Sequence, residues 1–339
     1  MVGGRPQKGT RSPLDPRQEL NVFPSHTERM CRFVAYHGPP IQLDELLYKP
    51  DHSIVHQSTH AREREEPLNG DGWGVGWYEP EMTPEPAVYR EVRPAWSDEN
   101  MRRVSPVVET PLYFAHVRAA SPGLAVQQLN CHPFPGGQHT LEDSRHRDDI
   151  EEGRQELLFM HNGGLGAYHD VIRRLEENLD QETYLGIRGT TDSEHAFAVI
   201  QEELGADVVD PDLDDLAGAV RDSLEYLERL KHDVGGAEAT TWANFCLADG
   251  ESVVAIRYAS PEEATAQSLY VGEAGSFVAD DDGEFVGTPD PEGDDATVIA
   301  SEPLFEDDRV WRAVPRNHMA TVAPDGEVTI EPLALDVES

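Results

Sequence analysis

Apolar residues in this chain fall into short strand-like runs, with one helical stretch in the middle. Buried strands are predicted at 31–36 and 157–164, where apolar positions are almost unbroken. After Thr190 the spacing changes to the helical period, and a second, longer helix is predicted over about 212–231. Beyond Thr240 the strand pattern returns. Strands, then helices, then strands indicate an α+β fold in which helices are layered on sheets.

Residues 1–30 differ from the rest of the sequence. They contain five basic and three acidic residues, four prolines and no periodic apolar pattern, whereas the whole chain has a net charge of −38. We predict a disordered extension. It is a propeptide, a flexible tail, or a misassigned start, if translation begins at Met30. No linker rich in proline or glycine divides the remainder, so 31–333 is predicted to be one domain and 334–339 a tail.

Composition excludes several classes of function. The chain has 65 acidic against 27 basic residues, so nucleic acid and anionic membranes are not expected as partners. The excess of acid is typical of an acidic, halophilic proteome, because salt screens the self-repulsion. Three cysteines are too few for a disulfide framework and favour a reducing compartment. No transmembrane run or secretory signal is visible, so a cytoplasmic location is predicted.

Three features are candidates for catalysis or substrate binding. If the working chain begins at Cys31, its thiol and α-amino group form a nucleophile and a base, with reference pKa values of about 8.5 and about 7.7–8.0. Arg118 ends a buried-type strand, where it suits a substrate carboxylate or, alternatively, a structural ion pair. Asn162 and Gly163 stand at a turn that could form an oxyanion hole or be only a tight turn.

Two other stretches remain open to a structural reading. Glycines alternate with aromatic residues over 69–78, which indicates either a bulge or the wall of a small pocket. His52, His56 and His60 would share one helix face, as a metal site or, more simply, as a solvated helix or loop.

Taken together, these motifs resemble the class II glutamine amidotransferases, which have the N-terminal-nucleophile hydrolase fold. The matched features, in order, are Met30-Cys31, Asp71-Gly72-Trp73-Gly74, Ala115-His116-Val117-Arg118, Asn130-Cys131-His132-Pro133-Phe134, His161-Asn162-Gly163 and Thr191-Asp192-Ser193-Glu194. Residues 301–304 and the region of Trp311 resemble the compact, stand-alone branch of that family, which includes γ-glutamyl hydrolases.

The resemblance implies a four-layer αββα sandwich and hydrolysis of a γ-glutamyl amide through a thioester. Cys31 would be the nucleophile, with its own α-amino group as the base. Asn162 and Gly163 would stabilise the oxyanion. Arg118 would hold the substrate α-carboxylate and Asp192 its α-amino group. Neither a cofactor nor a metal is expected.

The resemblance also implies a set of pocket residues. Four further residues match positions that line or wall the pocket: His132, Ser121, Trp73 and Gly74. Two departures are the 30-residue extension, which would convert the Cys31 amine into an amide, and Ala119, where synthase members carry tryptophan.

Several functions remain open at this stage. The chain could be an amidohydrolase acting on glutamine or a related γ-glutamyl compound, releasing ammonia or an amine. It could be a glutaminase subunit that delivers ammonia to a separate synthase partner, or a non-catalytic binding protein on the same fold. A metalloenzyme is also conceivable, with His116, Cys131, His132 and His161 as the metal ligands.

Overall fold

The computed structural model describes residues 31–63, 68–120, 125–136, 156–205, 208, 210–279, 285–288 and 296–337. The helices are α1 (Asp44–Leu47), α2 (Ile54–His60), α3 (Glu99–Val104), α4 (Tyr168–Glu177), α5 (Gln181–Gly186), α6 (Asp192–Leu204) and α7 (Leu213–Asp233). The strands are β1 (Arg32–Gln42), β2 (Trp73–Glu79), β3 (Thr83–Glu91), β4 (Glu109–Val117), β5 (Phe134–Pro135), β6 (Leu158–Gly164), β7 (Thr241–Ala248), β8 (Val253–Ser260), β9 (Tyr270–Ala274), β10 (Ser276–Ala279), β11 (Phe285–Thr288), β12 (Ala296–Ala300), β13 (Trp311–Ala313), β14 (His318–Val322) and β15 (Val328–Pro332).

The described strands form two large sheets and a small hairpin. The first sheet has the order β13-β9-β12-β1-β4-β2-β3, and the second has the order β15-β14-β8-β7-β6-β5. Strands β10 and β11 pair separately. Neighbouring strands in both large sheets are antiparallel, so alternate residues of each strand face opposite sides.

Three apolar cores separate four layers. One core lies between the two sheets and includes Phe33 and Phe114 from the first sheet and Met160 and Cys246 from the second. A second core joins the outer face of the first sheet to α1–α3, and a third joins the outer face of the second sheet to α4, α6 and α7. The order helix, sheet, sheet, helix confirms the predicted αββα sandwich. No helix in the described part of the chain is long and apolar enough to cross a membrane.

Helix α6 begins as its sequence predicts. The Thr191 hydroxyl accepts a hydrogen bond from the Glu194 N–H, so Thr191 is the N-cap and Asp192 is the first helical residue. The predicted second helix is α7, which Asp212 caps.

Helices α4 and α5 were not predicted. The N-cap of α4 is Ala167 in a left-handed conformation, which gives no start signal, and α5 buries no residue. Because α4 has no capping residue at its start and the six-residue α5 has no buried face, pattern reading misses both.

Candidate active site

Cys31 lies at the start of β1, beside the end of β4. Arg32 pairs with Val117, and Val117 with Trp73, so the next row across the sheet is formed by Cys31 and Arg118. Alternation from Phe33, a residue of the core between the sheets, directs the Cys31 side chain toward the second sheet. Its Sγ lies 3.8 Å from the Ala119 carbonyl oxygen.

Arg118 is buried without a carboxylate beside it. Its Nη1 lies 3.4 Å from the Asp71 carbonyl oxygen and 3.5 Å from that of Ala125. Among the described residues, no Asp or Glu forms an ion pair with its guanidinium. The structural ion pair considered from the sequence is therefore not seen in this part of the chain, and the guanidinium is suited to a substrate carboxylate.

Asn162 lies on β6, and its side-chain amide has no partner among the described residues. The residue is fully buried, yet neither its Oδ1 nor its Nδ2 has a hydrogen-bond partner within the described chain. Buried polar groups are nearly always bonded, so this amide is free to bond a water or a ligand.

Gly163 follows, in a position that only glycine can occupy. A Cβ there would lie 1.9 Å from the Trp242 carbonyl oxygen and 2.6 Å from His161 Nε2. Those two atoms are themselves hydrogen-bonded, at 3.0 Å. The bond between β6 and β7 thus fixes the backbone beside Asn162.

His161 joins this bond to helix α6. Its Nδ1 lies 2.9 Å from the Ser193 hydroxyl. Because Nε2 donates to the Trp242 carbonyl, Nδ1 is the acceptor and the serine the donor. Burial lowers the pKa of His161, which keeps the ring neutral in this arrangement.

Asp192 supplies a negative charge on the side of the second sheet. Its carboxylate accepts hydrogen bonds from the N–H groups of Leu165 and Ser193, both at 2.9 Å. Oδ2 lies 3.7 Å from where a side chain would begin on Gly164. Because Thr191 caps the helix, the remaining lone pairs of Asp192 are available to a cation such as a substrate ammonium.

Two buried histidines, His116 and His132, lie where the first and second sheets meet. The rings of His116 and His132 stack with centroids 4.2 Å apart, and His116 Nε2 lies 3.2 Å from the His161 carbonyl oxygen. Since His116 pairs with Phe33 on β1, this contact brings the Asn162 turn close to the Cys31 row. Burial lowers the pKa of His116 to about 3 and that of His132 well below its usual value.

Neither ring nitrogen of His132 has a partner in the described structure. The sequence also allowed a metal site among these histidines and Cys131. Within the described residues, no group of three or more His, Cys, Asp or Glu side chains could hold a metal ion.

Two of the predicted pocket residues have a different environment from that expected. The Trp73 side chain lies on the outer face of the first sheet, where its Nε1 donates to Asp98 Oδ2 at 3.2 Å. It therefore does not wall the space between the sheets, a correction that follows from strand alternation. Gly74 faces that space, but a Cβ there would lie 2.3 Å from the His132 carbonyl oxygen, so Gly74 makes room for the segment that carries His132. Ser121 lies outside the described residues.

A buried ion pair next to Cys31 is not predicted from the sequence. The side chain of Arg32 is buried on the outer face of the first sheet and bonds Glu302 at 2.7 Å. The available signal was an arginine inside the apolar run 31–36, because a charge at a core-facing position needs a partner.

Cavity size does not locate the site. Cavities of about 170 Å³ and about 390 Å³ occur among the described residues, the first beside Arg90 and Phe134 and the second beside Glu302 and Trp311, and Cys31 lines neither. The site is located instead by its motif residues and by the side-chain atoms of Asn162 and His132 that have no partner among the described residues.

Comparison with known proteins fits this arrangement. A family model described as class-II glutamine amidotransferases matches residues 48–334. The chain belongs to this family. The family resemblance, the fold and the class of enzyme predicted from the sequence are thereby confirmed.

Relatives within the family include proteins of similar length. "Probable glutamine amidotransferase DUG3" of Saccharomyces cerevisiae is 33% identical over 310 residues, which cover 86% of this chain and 82% of that protein. The gamma-glutamyl-hercynylcysteine sulfoxide hydrolase of Mycolicibacterium smegmatis is 24% identical, covering 90% of this chain and 100% of that protein. A solved class-II domain protein from Silicibacter pomeroyi superposes with a TM-score of 0.59 at 25% identity, covering 90% of this chain and 100% of that chain.

Proposed function

We propose that this family member hydrolyses a γ-glutamyl amide, glutamine or a related compound, through a thioester on Cys31. The observation that carries the proposal is the buried, unpartnered amide of Asn162 beside Gly163, on the strand that meets the Cys31 row through His116. An amide-hydrolysing site needs such donors where the oxyanion forms.

The chemistry follows from these groups. The neutral α-amine of Cys31 takes the thiol proton, and the thiolate attacks the carbonyl carbon of the substrate amide. The Nδ2–H of Asn162 and the N–H of Gly163 bind the oxyanion. The C–N bond then breaks, and the leaving nitrogen takes the proton from the Cys31 ammonium. Water, activated by the same amine, hydrolyses the thioester to a γ-carboxylate and restores the thiol.

Recognition uses the two charges of the glutamyl group. Arg118 binds the α-carboxylate, and Asp192 binds the α-ammonium group. Arg118 directly follows β4 of the first sheet, and Asp192 begins α6 and bonds the residue that follows β6 of the second sheet, so the substrate would bridge the two sheets. His132 borders the bound substrate with a neutral ring.

The proposed mechanism requires an active form that begins at Cys31, because an amide at this position cannot act as a base. We therefore propose 31–333 as the catalytic domain, with residues 1–30 absent from the active form and 334–339 a tail.

The leaving group separates two versions of the function. The name of the M. smegmatis relative describes hydrolysis of a γ-glutamyl conjugate, and that relative matches this chain over its whole length, which favours a stand-alone hydrolase that releases an amine. DUG3 is named a glutamine amidotransferase, which fits delivery of ammonia to a separate synthase. Comparing turnover of glutamine with that of γ-glutamyl compounds carrying larger amines distinguishes the two.

The test uses protein that begins at Cys31. It is expected to release glutamate from glutamine or a γ-glutamyl amide, and Cys31→Ala is expected to abolish the release. Cys246→Ala, at a cysteine buried in the core between the sheets, is the matched control and should retain activity. A diazo-ketone analogue of glutamine should label Cys31 in the mass spectrum. Full activity in Cys31→Ala, or labelling at Cys131 instead, would overturn the mechanism.

The working environment is a further proposal. None of the three cysteines is in a disulfide, and the net charge is −38. We infer a reducing, cytoplasmic setting at high salt. Stability that rises steeply from about 0.1 M to about 1 M salt would support it, because the Debye length falls from about 10 Å to about 3 Å over that range.

A further inference from the structure

Glu302 is a buried carboxylate with four donors. These donors are Arg32 Nε at 2.7 Å, His52 Nε2 at 2.7 Å, and the backbone N–H groups of Arg62 at 2.8 Å and Glu63 at 3.1 Å. Burial alone would raise its pKa, but the hydrogen bond from His52 and the charge of Arg32 outweigh burial and bring the pKa to about 2. Glu302 is therefore an anion at any working pH.

The ion pair reaches the nucleophile through Arg32. While Nε of Arg32 binds Glu302, its Nη1 donates to the Cys31 carbonyl oxygen at 2.8 Å. A planar guanidinium makes both bonds at once in a fixed geometry. The Cys31 carbonyl is thus tied, through the Arg32 side chain, to a carboxylate that three other groups also hold in place.

The residue before Glu302 completes the attachment. Ser301 exchanges two hydrogen bonds with the backbone of Phe33: its Oγ accepts from Phe33 N at 3.0 Å, and its N–H donates to Phe33 O at 3.0 Å. This extends the pairing of β1 with β12, which ends at Val34 and Ala300. Ser301 and Glu302 together hold the first three residues of the proposed active chain.

A terminal nucleophile needs such an attachment. A residue at a chain end has one covalent neighbour and is poorly ordered unless it is tied down. Since the amine, the thiol and the carbonyl share one Cα, fixing the carbonyl limits the positions of the other two. A misplacement of about 1 Å can cost about 10²-fold in rate.

We propose that Glu302 is a positioning residue for the Cys31 nucleophile and acts through Arg32. The inference rests on the proposed function for its kinetic consequence. Its structural content, restriction of Cys31 by the Arg32–Glu302 pair, can be measured without turnover.

The test compares two variants with a matched control, all in protein that begins at Cys31. Glu302→Gln keeps the shape but removes the charge, and Arg32→Lys keeps a charge for Glu302 but cannot bind both partners. Glu273→Gln is the control, because Glu273 pairs with Arg312 in the same sheet, half-exposed and remote from Cys31.

Both variants are expected to lower kcat by about 10²-fold with KM nearly unchanged, while the control stays within about twofold. The rate at which iodoacetamide alkylates Cys31, followed by mass spectrometry, is expected to change in the same two variants. If Glu302 only neutralised a buried arginine, Arg32→Lys would behave as wild type, and that result would overturn the inference. If Glu302→Gln fails to fold, Arg32→Lys decides alone.

The outcomes also separate this inference from the proposed function. If the unaltered protein hydrolyses no γ-glutamyl amide, the proposed function fails, and the alkylation rates still decide on the attachment. If it does hydrolyse one, and both the kcat and the alkylation rate of Arg32→Lys equal those of the control, the positioning role fails while the function stands.

Discussion

Two buried polar groups near Cys31 differ in how well they are satisfied. The Glu302 carboxylate accepts four hydrogen bonds, whereas the Asn162 amide has no partner within the described chain. Both residues are at most 1% exposed. A buried polar group with all its hydrogen bonds stabilises the fold. One without partners lowers the stability of the free protein, and a bound ligand that supplies the partner offsets that loss. We therefore expect substitution of Glu302 to lower stability, and substitution of Asn162 to lower activity without lowering stability.

The largest effect is expected on stability, at Glu302. Glu302→Ala leaves Arg32 buried without its counter-ion and should lower the free energy of unfolding by about 3–5 kcal/mol. Urea unfolding measures it, with Glu273→Ala, at a half-exposed pair, as the control expected to stay within about 1 kcal/mol. A similar small loss in both variants would mean that the Arg32–Glu302 pair does not stabilise the fold.

Asn162 should show the reverse pattern. Asn162→Ala removes an amide that has no partner, so stability should stay constant or rise. The transition state, however, should lose about 2.7–4 kcal/mol, seen as a fall in kcat of about 10²–10³-fold. Asn244→Ala, opposite on β7, is the control: its Nδ2 donates to the Ser268 carbonyl at 2.9 Å, so that variant should lose stability instead. Equal kinetics in the two variants would remove Asn162 from the oxyanion hole.

A variant of Arg118 tests how the proposed site binds the substrate α-carboxylate. Arg118→Ala should raise KM about 10- to 100-fold for substrates with a free α-carboxylate, because a charged hydrogen bond contributes about 1.5–3 kcal/mol. Substrates whose α-carboxylate is amidated should lose little. Steady-state kinetics on both substrates give the comparison, and an equal loss on both would assign Arg118 a structural role.

The same contrast explains how far sequence reasoning reached. The long strands and α6 were predicted because their apolar periods and the Thr191 cap are local signals. Asn162 and Asp192 were also predicted as site residues, because each lies in a short motif formed by neighbouring residues. The Arg32–Glu302 pair joins positions 270 residues apart, and no local pattern links them. The face on which Trp73 lies depends on strand pairing, which a glycine-rich stretch specifies weakly.

The smallest effect expected, taken per pH unit, is a pH dependence of stability that separates the two regions. The pKa of His116 falls to about 3 in the folded chain, against about 6.5 when unfolded, so the unfolded state binds the extra proton between these values. Stability should therefore fall as pH drops below about 6.5, by up to about 1.4 kcal/mol per pH unit for this one group.

Glu302, by contrast, has a folded pKa of about 2 and an ordinary value of 4.5, so its contribution is lost only as pH falls from 4.5 toward 2. His116→Gln, which retains a donor for the His161 carbonyl, should flatten the slope of stability below pH 6.5 and above pH 4.5, the part of the histidine window in which Glu302 does not titrate. Glu302→Gln should leave that slope unchanged and alter only the more acidic limb. Urea midpoints across this range provide the measurement. If the slope of stability with pH responds to Glu302→Gln but not to His116→Gln, the Arg32–Glu302 pair, rather than the buried histidines, controls acid sensitivity.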